Sequence, residues 1–133
     1  GARGHHTAAS AVKLLVDTSV WADHLRSGDP FLAMELEQGA VLVHPWVVGE
    51  LACSRLRARV QILRLLADLP QASVATTNEV LHLIDSRQLM DRGIGYLDAQ
   101  LLASCLLESA RLWTRDQQLR TVAAELELLA PQP

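Results

Sequence analysis

The chain alternates short, wholly apolar runs with longer stretches in which apolar residues recur every three or four positions. The first run, residues 12–16, carries a single lysine and stops abruptly at Asp17, Thr18 and Ser19. Without polar alternation, such a run predicts a strand buried on both faces. Residues 19–26 then read as a short helix, 27–30 as a turn, and 31–38 as a second helix closed by Gly39. Residues 40–44 are the next strand, with Pro45 standing where a helix begins. From Trp46 to about Val60 the pattern is one long amphipathic helix or two, striped by Val47, Val48, Leu51 and Ala52. A further stripe of Ile62, Leu63, Leu65, Leu66 and Leu69 runs up to Pro70. Residues 72–75 predict a weak strand, and Thr76 or Thr77 caps a helix reaching toward Met90. After the break at Gly93 and Gly95, residues 96–110 predict the central buried helix. A strand at 111–114, a helix at 116–125 and a last edge strand at 126–129 complete the pattern.

Strands and helices alternating in this way predict parallel strands joined by right-handed crossovers, hence a three-layer α/β/α sandwich around a mostly parallel sheet. The 133 residues suit one domain, assigned to residues 12–130. Residues 1–11 lack periodicity and are expected to be a leader outside it, so His5 and His6 are set aside as ligands. No apolar run approaches the roughly 20 residues that span a bilayer, so no membrane partner is expected. Cys53 and Cys105 show neither CxxC nor zinc-ligand spacing, which predicts reduced thiols and a cytoplasmic protein.

Charge narrows the chemistry. The net charge is −3 with a pI near 5.9, so any polyanion must be held by local arginines or by metal ions rather than by a global basic field. Arg55, Arg57, Arg59 and Arg64 crowd one segment, as a phosphate-contacting patch or a solvated helix face.

Asp17 ends a buried strand, at the edge where open parallel sheets place ligands and chemistry. A helix cap would explain it equally well. Glu50 lies in the helix opened by Pro45, Asp98 in the first turn after Gly95, and Asp116 two residues beyond the strand ending at Thr114. Each has a bland explanation in a helix dipole or a solvated face. Together they would face one crevice, where carboxylates about 4 Å apart repel by on the order of 4 kcal/mol per pair at an effective dielectric of 20. Such a group must protonate, spread apart or bind cations. Hard oxygen ligands suit Mg2+ or Mn2+, ions that also bind phosphate oxygens.

The order Asp17-Thr18-Ser19-Val20-Trp21, Gly49-Glu50-Leu51, Leu97-Asp98-Ala99-Gln100-Leu101-Leu102-Ala103, Thr114-Arg115-Asp116 resembles the PIN-domain ribonucleases, especially the VapC-type toxins of prokaryotic toxin-antitoxin pairs. The resemblance spans residues 12–129. It implies a PIN-like sandwich and metal-dependent hydrolysis of RNA phosphodiester bonds. Asp17, Glu50, Asp98 and Asp116 would be the acidic set, with Asp17, Asp98 and Asp116 holding one or two Mg2+ or Mn2+ ions. Thr18, Ser19 and Thr114 would give hydroxyl support, and Arg115 would contact phosphate or form a structural ion pair. Tyr96 stands where many relatives carry a further acid. The implied partners are RNA and a small cognate antitoxin, with a homodimer as one candidate assembly. Alternatives are a non-catalytic binding module on the same fold and a general RNA-processing nuclease without an antitoxin. The haloacid-dehalogenase pattern fails at Ser19, where it needs a second Asp, and a receiver domain fails because Lys13 is the chain's single lysine. Trp21, Leu25, Phe31 and Trp46 are expected to line a groove that receives an apolar helix face of the antitoxin.

Overall fold

The computed structural model describes residues 12–131; the expected leader, residues 1–11, lies outside them. The strand β1 (Lys13–Val16) is the centre of a three-stranded, all-parallel sheet of order β2-β1-β3, with β2 at Val41–Leu42 and β3 at Ala110–Trp113. Leu15 faces Leu42 on one side and Leu112 on the other. Leu14, Leu15 and Val16 are all buried, as a strand covered on both faces requires.

Seven helices among the described residues cover the sheet: α1 (Thr18–Ser27), α2 (Pro30–Glu37), α3 (Pro45–Ala52), α4 (Arg59–Asp68), α5 (Thr77–Arg87), α6 (Tyr96–Glu108) and α7 (Gln117–Glu125). Their starts follow local chemistry. Asp29 accepts from Phe31 N and Leu32 N ahead of Pro30, and Thr76 and Glu79 exchange the two bonds of a capping box. Leu101, Leu102, Leu112 and Leu119 have no exposed surface, so α6 and α7 meet β3 in the interior, and α6 is the buried helix its sequence predicts. An α/β/α sandwich with a parallel sheet is what the alternation of elements requires.

Two expected strands are not formed, and one open alternative is resolved. The segment after Pro45 is two helices, because Ala58 takes a left-handed conformation (φ 50°) and Arg59 donates to Ala52 O and Ser54 O at 2.6 and 3.1 Å, tying off the end of α3. The strand expected at 72–75 is absent. Only Gln71 bridges Val43, while Ser73 N and Ala75 N donate to the side chains of Glu108 and Gln100, leaving the backbone without a ladder to join. The expected strand at 126–129 is likewise a single bridge, Leu129 to Leu112, since Glu127 at φ 60° turns the chain before it can run alongside β3.

Candidate active site

All four acids predicted from sequence stand around the carboxyl end of the sheet. Asp17 follows β1, its amide held by Trp113 O at 2.9 Å. Its Oδ1 accepts from Thr18 N at 2.7 Å and its Oδ2 from the Thr114 hydroxyl at 2.6 Å. The Thr114 oxygen in turn accepts from Asp116 N at 3.1 Å. Asp116 caps α7 through Oδ1, which takes Leu119 N at 3.0 Å. Asp98 turns Oδ2 back to Gly95 N at 3.0 Å at the start of α6. Glu50, on α3, accepts through Oε1 from the Thr18 hydroxyl at 2.5 Å. Ser19 Oγ accepts from Arg115 N at 3.4 Å. The capping reading is therefore correct for three acids without displacing the other, because each cap uses one oxygen. Oδ1 of Asp98, Oδ2 of Asp116 and Oε2 of Glu50 are left without a hydrogen bond among the described residues.

The acids feel one another. Burial pushes the Asp17 carboxyl above its ordinary range, and the fields of Glu50 and Asp116 add to this against the bonds from Thr114 and Thr18. Burial likewise raises Asp98, opposed by the Gly95 bond and reinforced by Asp17, Asp116 and Glu50. Lys13, Arg26, Arg92 and Arg115 form ion pairs with Glu108, Asp23, Glu125 and the Asp23/Asp29 pair; none of those acids belongs to the cluster. Its donor set, hard oxygens with lone pairs free, fits a divalent cation of the Mg2+ type. The side chains are nevertheless spread: among the described residues, no group of three or more His, Cys, Asp or Glu is already arranged to hold a metal ion.

The profile of the PIN-domain family matches residues 14–125. Ribonuclease VapC32 of Mycobacterium tuberculosis, in each of two strains, is 47% identical over 113 residues, 84% of this chain and 91% of the relative. The chain belongs to the PIN-domain family, among its VapC-type members. The crystal structure of PAE2754 from Pyrobaculum aerophilum shares the fold, with a TM-score of 0.57 at 17% identity over 90% of this chain and 98% of that one.

In this PIN domain the remaining predicted residues separate. Arg115 sends its guanidinium to Asp23 and Asp29 at 2.8 and 2.7 Å, so it pins the loop after β3 to α1 and to the cap of α2. It is an ion pair, with α1 and the α2 cap rather than with its neighbour Asp116. Partial burial would raise Asp29, but the bonds from Leu32 N, Arg115 and Phe31 N hold its carboxyl below the usual range. The expected groove is corrected. Trp21 is 2% exposed and belongs to the core. Leu25 does line a groove of about 310 Å³ between α1, α3 and α4. Phe31 is exposed on α2, and Trp46 packs against Tyr96 instead; neither lines that groove.

The sequence reading missed a buried polar network. His44 Nε2 lies 3.2 Å from Gln100 Oε1 and 3.1 Å from Ser104 Oγ, while its Nδ1 accepts from Trp46 N. Gln100 also grips both backbone groups of Ala75, and Ser104 donates to Ser73 O. His44, Gln100 and Ser104 have no exposed surface. The network joins the start of α3, which carries Glu50, to α6, which carries Asp98. Gln100 and Ser104, four apart within the apolar stretch of α6, were the signal available in the sequence.

Proposed function

We propose that this PIN domain is the toxin of a toxin-antitoxin pair: a cytoplasmic endoribonuclease that hydrolyses RNA phosphodiester bonds with the help of Mg2+ or Mn2+. Family membership makes it a VapC-type ribonuclease. The observation that carries the mechanistic reading is the mutual field of Asp17, Glu50, Asp98 and Asp116 around free carboxylate oxygens. Asp17, Asp98 and Asp116 would hold the cation, which when bound supplies Lewis acidity to the scissile phosphate and lowers the pKa of water. Thr114 and Thr18 N fix both oxygens of Asp17, so that carboxylate arrives pre-oriented. Glu50, held through Oε1 by Thr18, would complete the site as an outer ligand or by orienting the attacking water.

The antitoxin is assigned to the groove of Ala22, Leu25, Leu51, Leu56 and Ile62, rimmed by Arg26, Arg55 and Arg57. Apolar floor and basic rim suit an amphipathic helix with acidic flanks. A second copy of the chain would find its surface where Leu106 and Leu107, each about half exposed, border α5 and α6. The test is incubation of the purified chain with total RNA and Mn2+ or Mg2+, with mapping of the ends. Cleavage abolished by chelator and by Asp17→Asn is expected; cleavage that survives both overturns the reading.

A further inference from the structure

Trp46 and Tyr96 are among the few large aromatic side chains, and both are exposed, at 39% and 41%. They stand on the first turns of α3 and α6 and meet each other with ring centroids 5.8 Å apart at 38°. Trp46 is braced from beneath by the buried His44 ring, which meets it edge-on at 6.0 Å and accepts its amide proton. Position matters more than exposure here. Glu50 lies four residues after Trp46, one turn along the same helix face, and Asp98 shares the first turn of α6 with Tyr96. The two rings thus stand on the opening turns of the two helices that carry Glu50 and Asp98. Tyr96 also lines a shallow cavity of about 170 Å³ together with Leu89, Met90 and Ile94.

We propose that Trp46 and Tyr96 form a stacking platform for a nucleobase of single-stranded RNA adjacent to the scissile phosphate, the cavity beside Tyr96 receiving a neighbouring base. The proposal rests on the ribonuclease reading and adds to it how the substrate is held. An acidic chain with an anionic cleft repels phosphates, so affinity must come in part from contacts indifferent to charge. Stacking on an aromatic face is such a contact and accepts every base. A platform fixed to the two helices that carry Glu50 and Asp98 also sets the phosphate's distance from those acids.

The experiment uses the full chain carrying Asp17→Asn and a short single-stranded oligoribonucleotide, with binding followed by fluorescence anisotropy across a salt series. Trp46→Ala and Tyr96→Ala are each expected to weaken binding roughly tenfold without changing the salt dependence, since no phosphate contact is lost. Trp46→Phe and Tyr96→Phe should retain binding, which separates stacking from misfolding. In the parent chain, an abasic nucleotide beside the cleavage site should reproduce the loss. Alanine variants that bind like the Asp17→Asn chain, and that with Asp17 restored cleave like a parent with measurable ribonuclease activity, overturn the platform while leaving the ribonuclease reading intact. Unchanged RNA binding with lost binding of a co-expressed small protein gives the pair to a protein contact and also overturns it. A parent that neither binds nor cleaves RNA removes the ribonuclease reading itself.

Discussion

The Thr114 hydroxyl donates to Asp17 Oδ2 at 2.6 Å, and the same oxygen accepts the Asp116 amide at 3.1 Å. One fully buried threonine thus spaces two of the cluster's carboxylates. Thr114→Val keeps the shape and removes both bonds. It is expected to cost about 1–3 kcal/mol of stability, the usual loss when a buried partner is removed, and to lower kcat more than it raises KM. Thr114→Ser should recover most of both. Denaturant melts and steady-state cleavage rates check this, and a valine variant with parental kcat contradicts the spacing role.

The raised Asp17 and Asp98 carboxyls make an unusual contribution to stability. A carboxyl whose folded pKa exceeds its unfolded value stabilises the fold fully below the unfolded value near 3.8 and loses that contribution as pH rises through the raised folded value. The charged cluster is therefore a burden at neutral pH. Asp17→Asn and Asp98→Asn are each expected to gain stability relative to the parent as pH climbs from about 4 to 7, with the gain shrinking when Mg2+ or Mn2+ is added, because the cation binds the folded parent. Thermal melts across pH with and without metal measure it. A parent that melts higher at pH 7 than Asp17→Asn, in metal-free buffer, would contradict this cost of burying the Asp17 charge beside Glu50 and Asp116.

His44 behaves in the opposite sense. Burial lowers its pKa, with Gln100 partly opposing, so the neutral ring contributes stability that is present above the unfolded value near 6.5 and is lost as pH falls toward the lowered folded value. Protonation would also place a donor at Nδ1 against the Trp46 N–H that it now accepts. Acid destabilisation beginning below about pH 6.5 is expected in the parent and should be blunted in His44→Asn. Gln100→Leu removes the partner of Ala75's amide and should destabilise at all pH values. Equal acid sensitivity in parent and His44→Asn would show that other groups govern it.

Arg115→Ala tests whether a basic side chain beside the acids serves substrate or scaffold. Its two ion pairs are partly exposed, and such pairs contribute about 0–1 kcal/mol each. A modest loss of stability that fades in high salt, with RNA affinity unchanged, is the expected result. A reduced salt slope of RNA binding would instead make Arg115 a phosphate contact.

The legible part of this molecule was carried by backbone periodicity. The apolar run ending at Asp17, the turn at Gly93 and Gly95, and the strand ending at Thr114 located every main element and brought Asp17, Glu50, Asp98 and Asp116 to one end of the sheet. What the sequence hid depends on side-chain direction. Trp21 and Trp46 look alike in a string of letters, yet one helix turns its indole inward and the other holds it at the surface. Residues 72–75 have strand-like composition, but Gln100 and Glu108 take their amides, and no local rule foresees a side chain arriving from a distant helix. Arg115 lay beside Asp116 in sequence, while its partners Asp23 and Asp29 come from across the fold.

The sheet has only three strands, yet neither margin is bare. Residues near Gln71 lie against the β2 side through Val43, and Leu128 and Ala130 clasp Leu112 on the β3 side with bonds of 2.6 and 2.8 Å. Among the described residues, these short selvedges leave no long row of unpaired amides on which a foreign strand could template itself. Recognition of other molecules is thereby delegated to helices and loops. Loosening the clasp at Leu112, by removing residues 128–130, would bare the Leu112 amide and carbonyl on the β3 edge, the groups a foreign strand pairs with.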